Sequence, residues 1–93
     1  MKLEQIFQYL IKNDYQYEKR YGYDCFIIDL VGYVALIQYD HKFNTIEFYS
    51  QNNDTYNVVK VLDVSVDDIS LKHFIELEQA YYNLVEKIYK YVK

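Results

Sequence analysis

Proline and tryptophan are absent from this chain of 93 residues, glycine occurs twice and cysteine once. A lone cysteine, Cys25, cannot close an internal disulfide, which agrees with a reducing compartment. No run of 18 apolar residues is present, so no membrane span is expected. Met1-Lys2-Leu3-Glu4 opens an amphipathic pattern without the apolar core of a signal peptide, and a cytoplasmic location in a bacterial or phage-infected cell is expected. Catalytic signatures are missing as well: there is no P-loop, Rossmann glycine pattern, G-x-S-x-G or H-E-x-x-H. Basic residues are too few for a nucleic-acid binder of the phosphate-neutralising kind. Ten Lys and Arg stand against fourteen Asp and Glu, a net charge of −4, whereas sequence-independent binding draws its affinity from cations on phosphates.

What is present is a hydrophobic content of 52% and thirteen tyrosines. That content places the chain among globular proteins, and its length predicts one domain spanning residues 1–93, able to bury roughly 60–65% of its unfolded surface. Lys, Asn, Tyr, Ile and Phe are all favoured by AT-rich codons. The bias points to an AT-rich genome, such as a low-GC bacterium or its phages.

The pattern predicts an α+β fold: a three- to four-stranded antiparallel meander flanked by a short N-terminal helix and a long C-terminal one, α-β-β-β(-β)-α, with the helices on one face. Leu3, Ile6, Phe7, Leu10 and Ile11 repeat at helical spacing over Lys2 to Lys12, and Asn13-Asp14 ends the helix. From Tyr15 to Tyr23 the period becomes two, as in an edge strand or an extended arm, with Gly22 marking a bulge or bend. Cys25-Phe26-Ile27-Ile28 and Val34-Ala35-Leu36-Ile37 read as central strands covered on both faces. They form a hairpin through Asp29–Gly32, the alternative being one long strand with a glycine bulge. Thr45–Ser50 and Tyr56–Leu62 supply the last strands, separated by the turn Gln51-Asn52-Asn53-Asp54.

From Ser65 to Val92 the sequence reads as one amphipathic helix. Ser65 caps it, Asp67 and Asp68 sit in its first turn, and no glycine or proline interrupts it. Phe74, Leu77, Tyr81, Leu84, Val85, Ile88 and Val92 form its apolar stripe, with Leu71, Ile75, Tyr82 and Tyr89 alongside. Such a helix would be roughly 40 Å long at 1.5 Å per residue. A strand of average length covers about 20 Å. The helix is therefore expected to outrun its sheet, its remainder meeting the N-terminal helix, a second subunit or a partner protein. Tyr82 and Tyr89 read as half-buried side chains with hydroxyls in water, the alternative being a homodimer or partner surface, where Tyr is favoured.

No constellation here points to chemistry. Cys25, His41 and His73 fall on a strand, a loop and a helix without paired ligand spacing, so no metal site is expected. An apolar run around Cys25 raises a thiol pKa, against a nucleophilic role. Asp63, Asp67 and Asp68 gather carboxylates at the strand–helix junction, as paired acids do when they hold a cation or act as acid and base. Helix capping accounts for at least two of them. The ladder Tyr15–Tyr23, interleaved with Lys19 and Arg20, has the look of a base-stacking platform, but the acidic balance opposes it. The expectation is a protein that is not an enzyme and carries no cofactor.

Ile11-Lys12-Asn13-Asp14-Tyr15, closing a short amphipathic helix before an antiparallel meander and a helical C-terminal part, resembles the small acidic type II-A anti-CRISPR inhibitors of phages and mobile elements. The resemblance implies a protein partner, a CRISPR effector nuclease or other host defence protein, and makes Asp14, with Tyr15 beside it, an effector-facing carboxylate. Duplex DNA carries one charge per about 1.7 Å of axis, so imitating five base pairs takes on the order of ten acids on one face. With fourteen acids offset by ten bases, the chain offers a local acidic patch. The expected contact residues are thus Asp14, Tyr15, Asp63, Asp67, Asp68, Tyr82 and Tyr89. The alternative is a small homodimeric structural or regulatory module built on the Leu71/Ile75/Tyr82/Tyr89 line.

Overall fold

The computed structural model describes residues 2–90, so the expectations for Val92 lie outside the described residues. Helix α1 (Lys2–Lys12) leads into strands β1 (Gln16–Arg20), β2 (Tyr23–Asp29), β3 (Tyr33–Asp40), β4 (Thr45–Asn52) and β5 (Val58–Ser65), and a 3-10 turn (Val66–Asp68) precedes helix α2 (Leu71–Lys90). The sheet is an antiparallel meander in the order β1-β2-β3-β4-β5. Five strands form, more than the expected three or four, because the Tyr15–Tyr23 segment pairs as an edge strand.

Both helices pack on one face. Phe7 of α1 meets Phe26 and Tyr39, while Phe74 and Tyr81 of α2 close on Phe48. Along β3 the residues Tyr33, Ala35, Ile37 and Tyr39 are buried and those between them only partly so, apart from Asp40 at the strand end. This is the alternation of a sheet with one covered face. The expectation that the central strands are covered on both faces is therefore corrected: among the described residues no helix lies over Ile27, Val34 and Leu36. Continuous apolar runs misled here because β-branched and aliphatic residues suit a pleated surface even on its open side.

The long helix is also corrected. Ser65 still pairs with Thr45 at the end of β5 and caps the 3-10 turn, its hydroxyl accepting from the Asp67 N–H at 3.3 Å. Ile69 is extended (φ −129°, ψ 153°), and Ser70, whose hydroxyl accepts from the His73 N–H at 3.2 Å, opens α2. Val66 and Ile69 are buried and hold this break in place. Twenty helical residues reach about 30 Å. Eight-residue strands reach about 26 Å. Helix and sheet are matched in length, so the predicted overhang does not exist within the described residues. What α2 leaves uncovered is its flank.

The two sheet edges differ. β1 is short, exposed at every residue and charged, with Glu18 and Arg20 paired at 2.8 Å. β5 is longer, exposes Val58 and Val59, and carries one extra residue, Val61, between its pairings with Phe48 and Tyr49. Each hairpin tip presents one exposed apolar side chain: Tyr21, Val31, Phe43 and Tyr56. Tyr21 and Gly22 join β1 to β2 with φ of 51° and 86°, the two-residue turn that prefers Asn-Gly. A tyrosine that is 99% exposed at positive φ gains nothing from packing and is held in a conformation disfavoured for bulky residues. Tyr21→Asn is expected to raise stability by about 0.5–1 kcal/mol, read as an increased urea midpoint; an unchanged or lowered midpoint would contradict this account of the turn.

A tyrosine–glutamate cleft and an apolar margin

At the end of α1 the chain reverses through Asp14, which takes φ 71°, a region that Asp tolerates better than most residues. The reversal directs Tyr15 inward, where it is buried against α2. There it meets Glu78, an acid on the covered face of α2 and only 9% exposed. Each carboxylate oxygen of Glu78 accepts one phenol: Tyr9 donates to Oε1 at 2.5 Å and Tyr15 to Oε2 at 2.6 Å. A phenol has a single proton, so the Tyr82 hydroxyl donates to the Tyr15 oxygen. Burial, then the bond to Glu78, pushes Tyr9 up to about 12. Burial likewise takes Tyr82 to about 12, against the opposing effect of its bond to Tyr15. Tyr15 is driven far above the ordinary phenol value, by burial first and by Glu78 second. The phenols therefore remain neutral donors at physiological pH.

The network floors a cleft of about 640 Å³ between α2 and the β2–β3 hairpin. Ile28, Leu30, Val31 and Tyr33 line the sheet side, while Tyr82, Glu78, Gln79 and Glu86 line the helix side. Tyr33 stacks flat on Tyr89, with centroids 4.9 Å apart and an interplanar angle of 2°. Burial raises the Tyr33 pKa, and the nearby Glu86 charge adds to the rise. Among the described residues, no Lys, Arg or His lies within ion-pair distance of Glu78.

The sequence-predicted residues do not form one site. Tyr15 and Tyr82 meet in the cleft, and Tyr89 stands beside it, stacked on Tyr33 with its hydroxyl donating to Ser50 Oγ at 3.2 Å. Tyr82 and Tyr89 are half-buried as expected of amphipathic side chains, but their hydroxyls bond within the chain. Asp14 is exposed at the C-terminal end of α1. Asp63 pairs with Lys60 at 3.0 Å, Asp67 accepts from Asn44 at 3.2 Å and Asp68 is exposed. These three acids lie at the end of the sheet marked by the Asp40–Thr45 and Thr45–Ser65 pairings, opposite the end marked by Tyr33–Asn52 where the cleft opens. Sequence reasoning missed Glu78 and Tyr9. A signal existed: Glu78 follows Phe74 by four residues, which puts a carboxylate in the middle of an apolar stripe.

The flank of α2 away from α1 forms a second feature. Glu78 and Tyr82 turn toward α1 and β1, so the helical period directs Leu77, Leu84 and Ile88 toward β5. Leu84 is 46% and Ile88 44% exposed although both belong to the predicted core stripe. Val59, 52% exposed, pairs with Ser50 and shares its helix-covered face. Together they make an apolar margin along the β5 side.

Of the remaining candidates, Cys25 is buried, and burial raises its thiol pKa. His41 bonds the buried Asp24 carboxylate at 2.6 Å. No group of three or more His, Cys, Asp or Glu side chains converges as a metal site among the described residues, and no described helix is long and apolar enough to cross a membrane. Fold and surface define a two-layer α+β protein with a five-stranded meander and a tyrosine-rich acidic cleft. No protein-family model, curated protein or solved structure matches the chain.

Proposed function

We propose that this is a non-enzymatic protein that acts by binding another protein, an inhibitor of phage or mobile-element origin that blocks a host defence effector in the manner of the type II-A anti-CRISPRs it resembles. The observation supporting this reading is the apolar margin: Leu84 and Ile88 continue a core stripe yet remain about half exposed, beside an edge strand whose Val58 and Val59 are also open. Large apolar side chains left out in a row mark a surface that another chain covers. Exposed Tyr21, Phe43 and Tyr56 on hairpin tips extend the same character, since aromatics dominate interface cores.

The test is a DNA-cleavage assay with guide-loaded type II-A effector nucleases, with and without the protein, alongside co-elution. Cleavage should fall as a stoichiometric complex forms. The double variant Leu84→Asp/Ile88→Asp, altered only at exposed positions, should weaken that complex at least tenfold, about 1.4 kcal/mol or more. Absence of both complex and inhibition across such effectors would remove the anti-CRISPR reading. A second reading, a homodimer, is favoured by the same margin because β5 is an edge strand. Light scattering decides it: a dimer that the double variant converts to monomer supports it, and a monomeric native protein excludes it.

A further inference from the structure

We propose that the tyrosine–glutamate cleft is a binding site for an alkyl guanidinium or ammonium group, with Glu86 at its mouth and Glu78 at its floor. Its volume, about 640 Å³, lies within the range of roughly 300–1,000 Å³ typical of small-ligand sites. The charge inside is of one sign: Glu78 and Glu86 line it, and among the described residues Glu78 has no cationic partner. Glu78 is buried with only neutral phenols as donors. A carboxylate offers about four acceptor positions; one phenol on each oxygen leaves capacity unfilled. A buried anion without a cation is costly in a low-dielectric setting, and an incoming cation relieves that cost.

The walls match the rest of such a ligand. Ile28, Leu30 and Val31 suit an alkyl stem. The half-buried ring of Tyr82 supplies an electron-rich face of the kind that attracts guanidinium and ammonium groups. An anionic ligand would meet two carboxylates, and a neutral apolar one would strand their charge, so the cleft discriminates by sign. Burial and the Glu78 bonds keep the lining phenols protonated, as donors to Glu78.

Such a cation has two sources, a free amine or an arginine or lysine side chain of another protein. The experiment separates them. Agmatine and an acetyl-Gly-Arg-Gly-amide peptide are titrated separately into the isotope-labelled protein, with backbone amide shifts followed by NMR. Saturable shifts confined to Tyr15, Leu30–Tyr33 and Gln79–Glu86 are expected, with Kd of about 1 mM or tighter. Glu86→Gln, at an exposed position that does not disturb the fold, should weaken binding roughly fivefold or more, and raising the salt should weaken it further. Agmatine binding alone assigns the site to free amines; tighter peptide binding assigns it to a protein side chain. Two results overturn the proposal: no saturable shift from either probe up to about 10 mM, or shifts spread over the acidic surface that Glu86→Gln leaves unchanged. Neither depends on whether the apolar margin binds an effector.

Discussion

Glu78→Ala is expected to lower the stability of the protein by about 3 kcal/mol, a large share of what a chain this size possesses. The substitution removes the carboxylate to which both Tyr9 and Tyr15 donate, at the floor of the cleft, with Tyr15 buried and Tyr9 partly so. Each buried donor left without a partner costs about 1–3 kcal/mol. Since Tyr9 lies on α1, Tyr15 precedes β1 and Glu78 sits on α2, the loss unties three elements at once. Glu78→Gln keeps one acceptor and should lose about half as much. Tyr9→Phe, Tyr15→Phe and Tyr82→Phe, added to Glu78→Leu, remove donors and acceptors together and should recover most of the loss. Urea unfolding of the variants measures this order. An alanine variant with the native midpoint would mean that the network does not hold the two helices and the edge strand together.

Raising the pH beyond about 10 is expected to unfold the protein cooperatively. The cause is a set of phenols that the fold keeps protonated: burial raises Tyr15 and Tyr81 far above their ordinary value, and Tyr9 and Tyr82 to about 12. Tyr81 is fully buried, with its hydroxyl donating to the Tyr49 carbonyl. Below the unfolded-chain pKa of about 10 both states hold these protons, and stability is unaffected. Above it the unfolded chain gives them up while the folded one does not, so stability falls by about 1.4 kcal/mol per pH unit for each buried phenol. Tyr15 and Tyr81 together give about 3 kcal/mol per unit, or roughly 6 between pH 10 and 12, comparable with the 5–15 kcal/mol that holds a domain folded. Circular dichroism and tyrosinate absorbance, followed together, should change in one transition, and Tyr15→Phe should make the pH dependence shallower. Smooth ionisation of the tyrosines with the fold intact would contradict this.

The helix–meander–helix order was legible because it rests on local signals. Period and capping delimit α1, and the Asn52–Asp54 cluster marks a turn. Gly32, at φ 91°, turns the β2–β3 hairpin. The break before α2 was not legible: Val66 and Ile69, three residues apart, fit the spacing of the helix that follows, and only their burial beside the sheet end sets them apart from it. For Tyr82 and Tyr89 the sequence left water or an interface as the partner of each hydroxyl, because it reports amphipathicity without saying which neighbour fills it. Tyr15 and Ser50, distant in sequence, take those hydroxyls. The cleft was hidden for the same reason. Its parts come from the end of α1, the β2–β3 hairpin and α2, and no short window of sequence contains two of them in their functional relation.

The unlike borders of the sheet limit how copies of this protein can associate. The β1 border, five residues bearing Glu18, Lys19 and Arg20, repels an added strand as charged edges do. Joining through borders then has only β5 to use, and a border that meets its own copy makes a self-complementary pair with nothing left to extend. A filament needs two different mating borders, and this molecule has one. Concentrated solutions should therefore stop at twofold assemblies and not grow into fibres.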